Sequence, residues 1–307
     1  MIEKKLILFL AISLIIIFLG ATLILITKTS NTTPNIDKHL STQQISKGSP
    51  MHPIKFYDEK SFKEGIEKAK KLKKTSNYKI TGGIIPHDLD VGFIFSDFYW
   101  RLSWQNASTI ILIGPNHYEK GNFKALSSLY SWDTPFGVIE PNREIINALV
   151  NRNVIKIDEQ VLPNDHAVAG SLPYIKYYMP NVKVVPILLS GTMTKDESET
   201  LANNIEEFIK DGAILVAPVD FSHYLSAEQA KEKDELTFQV LKNFDYRQLF
   251  SLNNDYLDSP PSIGTFLMVM QKLGSTNIRV LYHTNTGELQ NNNTMPTTSF
   301  FSIAYFK

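Results

Sequence analysis

Three short runs of apolar residues most constrain the fold of this chain. They are Ser108–Ile113 (STIILI), Val182–Leu189 (VKVVPILL) and Ala213–Val219 (AILVAPV). Each run is continuous rather than alternating and rich in β-branched residues, which is typical of strands buried on both faces of a parallel sheet. Helical patterns separate the runs. The sequence therefore predicts an α/β fold, an α/β/α sandwich with a mostly parallel central sheet.

Further elements follow from the same patterns and extend to the end of the chain. Strands are also predicted at Lys79–Ile85, Ile278–His283 and Thr298–Phe306. Helices are predicted at Asp58–Lys74, Val91–Gln105, Asn142–Asn151, His166–Met179 (interrupted near Pro173), Lys195–Lys210, Ala227–Asn243, Tyr246–Asn253 and Ser262–Lys272. No repeat and no shift in composition divides residues 51–307, so we predict one domain there.

The N-terminal region has a different character. Residues 6–27 contain no charged side chain and would span roughly 33 Å as a helix, enough to cross a bilayer core. A cleaved signal peptide is the alternative, but its apolar region is shorter, about 7–15 residues, and ends at a small-residue cleavage site. We therefore predict a single-pass transmembrane anchor at residues 6–27.

The orientation of this anchor follows from its flanking charges. Lys4 and Lys5 precede the span, so residues 1–5 are predicted to be a cytoplasmic stub and the C-terminal domain to be extracytoplasmic. Residues 28–50 are rich in Ser, Thr, Asn and Gln and are predicted to be a flexible tether. The predicted location of the protein is thus the membrane.

Composition excludes several classes of partner and site. Lys and Arg number 31, as do Asp and Glu, so the chain lacks the basic excess of a general nucleic-acid binder. The sequence has no cysteine, which excludes disulfides, thiolate metal sites and thiol nucleophiles. It also contains no phosphate-binding glycine motif and no GxSxG motif.

The histidines supply the candidate site. His87, His117 and His223 each follow the end of a predicted strand, and ligands of open α/β sheets bind outside the carboxyl ends of the strands. Asp220 lies at the same strand end as His223, and Asp165 and His166 open a predicted helix. A shared crevice of imidazoles and carboxylates would suit divalent Fe, Zn or Cu.

Each of these residues also has a simpler explanation. A single histidine at a strand end is commonly a hydrogen-bonded loop residue. Asp165 and Asp220 could be helix caps, because both precede segments predicted to be helical. Three histidines in equivalent positions nevertheless favour a shared metal site.

Five motifs in register resemble the MEMO family, also called the AmmeMemoRadiSam system protein B family. They are Pro86-His87, LIGPNHY at Leu112–Tyr118, ALSSLYSWDTPFGVIEPN at Ala125–Asn142, NDHAVAGSLPY within Asn164–Ser190, and VAPVDFSHY at Val216–Tyr224. The resemblance covers nearly all of the chain beyond the tether. It implies a fold like that of LigB-type class III extradiol dioxygenases.

The resemblance also implies a ligand set. His87 and His117 match the two metal-ligand histidines of the family, and Ser222 matches the third position, which is cysteine in the animal members and a carboxylate in the dioxygenases. Because a neutral hydroxyl binds metals weakly, the third ligand could instead be His223, Asp220, His166 or water.

Further pocket residues carry over in the same way. Asp165 and His166 match an acidic residue and a histidine that line the pocket, and Asp220 and His223 flank the third position. The sequence departs from the family at two places: PHDLD replaces PHAGY, and Gly170 and Ser171 stand in the region where the family has E-x-H.

Two functions of different classes are therefore expected. The first is a non-haem metal-dependent oxidoreductase, dioxygenase-like, that uses Fe(II) or Cu, with Zn as a further choice. Its acid/base would be His166 or His223, tuned by Asp165 or Asp220. The second is a non-catalytic module that binds a peptide or a metal. A zinc hydrolase is a third, less favoured reading, because it needs three good ligands. The ligand, whether small molecule or peptide, and the oligomeric state stay open.

Overall fold

The structure is a computed structural model and describes residues 50–72 and 78–307. The predicted transmembrane run at residues 6–27 and nearly all of the predicted tether lie outside the described residues. Within the described ranges, no helix combines the length and apolar character needed to cross a membrane. The described part corresponds to the domain predicted from residue 51 onward.

Twelve strands occur in the described part of the chain. They are β1 (Met51–Pro53), β2 (Gly82–Ile85), β3 (Thr109–Pro115), β4 (Ala125–Ser127), β5 (Ser131–Thr134), β6 (Gly137–Ile139), β7 (Lys156–Ile157), β8 (Lys183–Leu189), β9 (Ile214–Pro218), β10 (His223–Leu225), β11 (Asn277–Asn285) and β12 (Thr297–Phe306).

Ten α-helices accompany the strands over the same residues. They are α1 (Glu59–Lys70), α2 (Gly92–Ser103), α3 (Arg143–Asn151), α4 (His166–Ala169), α5 (Leu172–Tyr178), α6 (Lys195–Lys210), α7 (Ala227–Asn243), α8 (Tyr246–Leu249), α9 (Pro260–Lys272) and α10 (Thr286–Leu289). Short 3₁₀ turns at Leu89–Val91 and Leu162–Asn164 precede α2 and α4.

The main sheet is mixed. Among the described residues its strand order is β10-β12-β2-β9-β3-β8-β4-β7, with β11 paired to β12. The four central strands, β2, β9, β3 and β8, are parallel to their neighbours in this group. Strands β4 and β12 join this group antiparallel, and β10 and β11 pair antiparallel with β12. The predicted parallel sheet is thus confirmed for the centre and not for the flanks.

Alternating side chains explain why the central strands read as continuous apolar runs. In β3, Ile111 and Ile113 pack on the core that also holds α3, α6, α7, α8 and α9. Ile110 and Leu112 of the same strand pack on the opposite core, with α1, α2, α4 and α5. Helices therefore cover both faces of the sheet, and every residue of β3 is buried. The predicted arrangement of layers is present.

Local signals set the helix boundaries. Thr194 and Glu197 form a reciprocal capping box at the start of α6, and Ser226 and Gln229 form another at the start of α7. Both helices have the predicted bounds. The predicted helix at residues 166–179 is instead two helices, α4 and α5. The break comes just before Pro173, which lies in the first turn of α5, where its missing N–H is tolerated.

Candidate metal centre

The strand order brings the predicted histidines to one edge of the sheet. Strands β2, β9 and β3 are neighbours and parallel, so their carboxyl ends lie together. His87 follows the end of β2 by two residues, and His117 follows the end of β3 by two residues. His166 is the first residue of α4, which packs against β3.

Three imidazoles meet at this edge. His87 Nε2 lies 3.2 Å from His117 Nε2, and one ring nitrogen from each of His87, His117 and His166 lies within 4.8 Å of the other two. The ring of His166 stacks on that of His117, with centroids 4.4 Å apart, and the His87 ring is nearly perpendicular to both. The three side chains could together bind a metal ion.

His87 and His117 use their Nδ1 atoms for hydrogen bonds to other protein groups, and their Nε2 atoms face each other at 3.2 Å. His87 Nδ1 lies 3.2 Å from the carbonyl oxygen of Pro218, which can only accept, so Nδ1 carries the proton. His117 Nδ1 lies 2.8 Å from Asp165 Oδ1 and donates to it. Metal-binding histidines commonly donate their second N–H to a carbonyl or carboxylate in this way.

The two imidazoles have very different pKa values. Burial lowers the pKa of His87 to about 4, against the raising effect of the Asp258 charge, so this ring is neutral at neutral pH. Burial would also lower the pKa of His117, but the carboxylates of Asp165 and Asp258 outweigh it and raise this pKa to about 10. A metal ion would therefore bind His87 as it is and displace a proton from His117.

Asp165 orients His117 and caps α4 at the same time. Its Oδ2 accepts the backbone N–H of His117 at 2.8 Å, and its Oδ1 accepts His117 Nδ1–H and the backbone N–H of Ala167. Although burial raises the pKa of Asp165, these hydrogen bonds bring it below its usual range. Asp165 therefore combines the two roles that the sequence left as alternatives.

His166 is the more accessible member of the group. Its side chain is 31% exposed, its Nδ1 lies 4.0 Å from Asp165 Oδ1, and its ring lies 5.8 Å from that of Phe56. Burial and the neighbouring His117 lower the pKa of His166. A neutral, partly exposed imidazole of this kind can accept a proton in the crevice.

Asp258 is the residue that the sequence analysis missed. Its Oδ2 lies 3.2 Å from His87 Nε2 and 3.7 Å from His117 Nε2. Its side chain is 9% exposed, and both carboxylate oxygens are buried without a hydrogen-bond partner in the described part of the chain. We call His87, His117, His166, Asp165 and Asp258 the edge cluster.

Tertiary contacts bring Asp258 to the edge. The backbone N–H of Asp258 donates to the carbonyl oxygen of Asp220 at 3.2 Å, and the N–H of His223 donates to the carbonyl oxygen of Asn254 at 3.0 Å. The loop before α9 therefore lies along the segment 220–223, which follows β9.

The sequence contains one indication that Asp258 has a role other than helix capping. Asp258 precedes a predicted helix, where an aspartate is normally read as a cap, but Ser259 already caps α9 by accepting the backbone N–H of Ser262. An acidic residue beside an existing cap is free for another role.

Asp220 lies behind His87 rather than at a helix start. Its Oδ1 accepts the backbone N–H of His87 at 3.0 Å, and its Oδ2 lies 3.5 Å from His87 Nε2. Burial, with the nearby charges of Asp258 and Asp88, raises the pKa of Asp220 well above its usual range. The capping alternative is wrong for Asp220, because the next helix begins only at Ala227.

The structure places Ser222, the predicted third ligand, elsewhere. Its hydroxyl is fully buried and donates to Asp234 Oδ1 at 2.5 Å, with Ala230 O at 3.2 Å. A buried hydroxyl needs an acceptor, and Asp234 supplies it. The carboxylate of Asp258 faces the two imidazoles instead, so the assignment of Ser222 is corrected.

His223 also differs from the expectation. It begins β10 and pairs with Thr298 of β12, its ring lies beside that of Tyr224, and it is not among the three histidines whose ring nitrogens converge. Its Nδ1 is buried without a hydrogen-bond partner among the described residues. A position after the same strand end therefore did not bring this ring to the edge cluster.

The donor set suits a first-row transition metal. Two neutral imidazoles and one carboxylate with open positions are the ligands of many non-haem Fe(II) sites, and imidazoles also bind Cu and Zn. Both oxygens of Asp258 are buried without a hydrogen-bond partner among the described residues, and a cation held by Asp258, His87 and His117 would offset the cost of burying this carboxylate. The residues present thus fit a metal ion without fixing its identity.

Known proteins resemble this chain over most of its length. A MEMO1 family protein of Caldivirga maquilingensis is 26% identical over 277 residues, which are 86% of this chain and 95% of that protein. MEMO1 family proteins of Pyrobaculum aerophilum and Sulfurisphaera tokodaii are 27% and 30% identical, each over 67% of this chain and over 77% and 76% of their own lengths.

A solved structure and a family model complete the comparison. The crystal structure of an uncharacterized Escherichia coli K12 protein covers 71% of this chain and 98% of that chain, with a TM-score of 0.47 and 12% identity, a similarity too low to carry an argument. The family model described as Memo-like protein matches residues 52–299, which include the whole edge cluster. The chain belongs to the Memo-like protein family.

Proposed function

We propose that this protein binds a divalent transition-metal ion at the edge cluster, through His87, His117 and Asp258. The observation that carries the proposal is the buried carboxylate of Asp258, which has no hydrogen-bond partner among the described residues and has one oxygen 3.2 and 3.7 Å from the Nε2 atoms of His87 and His117. Asp258 supplies the carboxylate that the resemblance implied at the third position. Fe(II) is the favoured ion for this donor set, with Cu and Zn as alternatives.

We further propose a metal-dependent oxidoreductase. A bound Fe(II) or Cu ion would supply the redox chemistry and the open coordination positions. The chain supplies the proton chemistry, for which His166 is better placed than His223 because its ring stacks on that of His117. A lowered pKa keeps His166 neutral and able to take a proton, while Asp165, engaged by three N–H donors, orients His117.

The test measures metal affinity on the full-length chain, freed of metal and titrated with Fe(II), Cu(II) or Zn(II) against a competing chelator. The wild type is expected to bind one ion, and Asp258→Ala is expected to weaken binding by about 100-fold or more, because loss of an outer partner alone costs about 10–100-fold. Asp255→Ala is the matched control, since Asp255 is an exposed carboxylate of the same loop. Equal affinities of the two variants would contradict the assignment of Asp258.

Oxygen uptake separates the two function classes. An oxidoreductase loaded with Fe(II) or Cu should consume O₂ in the presence of a catechol-like reductant, and His166→Ala should slow this without loss of the metal. Stoichiometric metal binding without turnover would favour the non-catalytic binding module.

We also propose that residues 6–27 anchor the chain in a membrane, with the edge cluster on the extracytoplasmic side. Support comes from the uncharged apolar run and from Lys4 and Lys5 before it. Extraction of membranes at alkaline pH should leave the protein in the pellet, and added protease should digest the domain in intact cells. Release into the supernatant would contradict the anchor.

A further inference from the structure

The buried carboxylate of Asp234 lies outside the edge cluster and has three side-chain partners. It is fully buried on α7. Its Oδ1 accepts the hydroxyl of Ser222 at 2.5 Å, and its Oδ2 accepts Nε2–H of His283 at 2.7 Å and the hydroxyl of Ser299. Three donors on one buried carboxylate indicate a group that holds its neighbours in place.

Through these hydrogen bonds, Asp234 connects its own helix, α7, to three other parts of the chain. Ser222 belongs to the segment 220–223 after β9, Ser299 lies on β12, and His283 lies on β11. The first two also pair through the backbone, since the N–H of Ser299 donates to the carbonyl oxygen of Ser222 at 2.8 Å. The segment 220–223 is therefore fixed on one side by side-chain and backbone contacts that all meet at α7 and β12.

The other side of the same segment carries the edge cluster. Asp220 accepts the backbone N–H of His87 with its carboxylate and the backbone N–H of Asp258 with its carbonyl oxygen. Ser222, which hydrogen-bonds to Asp234, is therefore only two residues from Asp220, which accepts the backbone N–H groups of His87 and Asp258.

We propose that Asp234 is a positioning residue for the edge cluster, which it serves by fixing the segment 220–223 against α7 and β12. This inference rests on the metal site proposed above. Asp234 does not touch the ion, and its effect passes through Ser222 and Asp220 to the placement of the Asp258 carboxylate. Outer hydrogen-bond partners of metal ligands act in the same way.

The decisive variant is Asp234→Asn, which keeps the shape but replaces one acceptor oxygen with an NH₂ group. That group cannot accept, so at least one of the donors Ser222, Ser299 and His283 loses its partner. Glu159→Gln is the matched control, because Glu159 is also a carboxylate with buried histidine and serine partners, away from the edge cluster. Ser222→Ala is the milder variant if Asp234→Asn fails to fold.

Two measurements on the full-length chain test the inference, both with circular dichroism confirming the fold. The first is metal affinity by chelator competition, which Asp234→Asn should weaken about tenfold, the lower end for outer partners. Ser222→Ala should weaken it about threefold, and Glu159→Gln should leave it unchanged. The second is hydrogen exchange by mass spectrometry without metal, in which Asp234→Asn should speed exchange about tenfold at residues 220–223 and 254–258.

The outcomes are separable. Unchanged metal affinity in Asp234→Asn, or faster exchange confined to α7 and β11, would overturn the positioning role. A wild type that binds no metal would remove the proposed function, and hydrogen exchange would then decide alone whether Asp234 fixes the loop of Asp258. An equal loss of affinity in Glu159→Gln would also overturn the inference, because the effect would then be one of general destabilisation.

Discussion

Two buried groups of histidine and carboxylate side chains in this protein have opposite hydrogen-bond balances. The edge cluster contains Asp258, whose two carboxylate oxygens have no hydrogen-bond partner among the described residues. The second group, which we call the clasp cluster, consists of His52, Ser128 and Glu159. There His52 Nε2 lies 2.8 Å from Glu159 Oε2 and 2.9 Å from Ser128 Oγ, and Glu159 also accepts the backbone N–H of Leu129 at 2.8 Å.

This difference distinguishes a group of side chains that could bind a ligand from one that only stabilises the fold. In the clasp cluster the Glu159 carboxylate accepts three hydrogen bonds, and the ring of His52 lies beside the rings of Tyr130 and Trp132. In the edge cluster, the buried carboxylate of Asp258 faces two imidazoles and has no hydrogen-bond partner among the described residues. A buried carboxylate without a hydrogen-bond partner needs an explanation, and a bound ion is one that fits two imidazoles close by. A histidine next to a carboxylate is therefore not by itself evidence of a ligand-binding site.

The largest effect should come from removing a histidine from each cluster. His117→Ala is expected to weaken metal binding by about 100-fold or more, because it removes a ligand and frees Asp165. His52→Ala is expected to leave metal affinity unchanged while lowering the free energy of unfolding. Chelator competition and urea denaturation of both variants measure the two quantities. If metal affinity fell equally in both variants, the proposed distinction between the two clusters would be wrong.

The next effect concerns the carboxylates behind the histidines. Asp165→Asn should weaken metal binding about 10–100-fold, because Asp165 fixes the ring of His117 through Nδ1 and the backbone N–H. Glu159→Gln should not change metal affinity. The same competition assay measures both variants, and a stronger effect of Glu159→Gln would show that the clusters are coupled.

Sequence patterns predicted the central fold because each central element carries its own signal. The strands β2, β3, β8 and β9 are apolar runs, and most of the long helices begin at a residue whose side chain caps the helix. The short strands β1, β4, β5, β6, β7 and β10 were not predicted. They have two to four residues, and their pairing partners rather than their own side chains define them.

The residues of the candidate site were likewise predictable only in part from the sequence. His87 and His117 were predictable because strand order and the rule for strand ends bring them together. Asp258 was not, because it reaches the edge through contacts of its loop with Asp220, more than 30 residues away. Ser222 was misassigned because the partner of its hydroxyl, Asp234, lies on a helix that only the folded chain brings close. Pairings set by tertiary contacts leave no local pattern.

A smaller effect is expected on stability from the clasp cluster alone. Glu159→Gln removes the charge that accepts from His52, Ser128 and Leu129. It should lower the free energy of unfolding by about 1–2 kcal/mol, the lower part of the range for a lost buried partner, because Glu159 is partly exposed. Urea denaturation at neutral pH measures this. A change below about 0.3 kcal/mol would mean that the clasp cluster adds little stability.

The smallest expected effect is the pH dependence of the contribution that Glu159 makes to the free energy of unfolding. Burial raises the pKa of Glu159, but its hydrogen bonds to His52, Ser128 and Leu129 outweigh this and bring the pKa below the ordinary value of 4.5. The unfolded chain therefore takes up the proton of Glu159 at a higher pH than the folded chain. The contribution of Glu159 is fully present above pH 4.5 and is lost as the pH falls through the lower folded pKa.

The difference in unfolding free energy between the wild type and Glu159→Gln should accordingly shrink as the pH falls from neutral to values below the ordinary glutamate pKa of 4.5. Urea denaturation of both proteins at several pH values in this window measures it, and taking the difference cancels the titration of all other carboxylates that the variants share. A difference that grows toward low pH would reverse the sign and show that Glu159 is held in its protonated form. A protonated Glu159 would be a poorer acceptor for these donors, and the contrast with the edge cluster would then no longer distinguish a structural contact from a binding site.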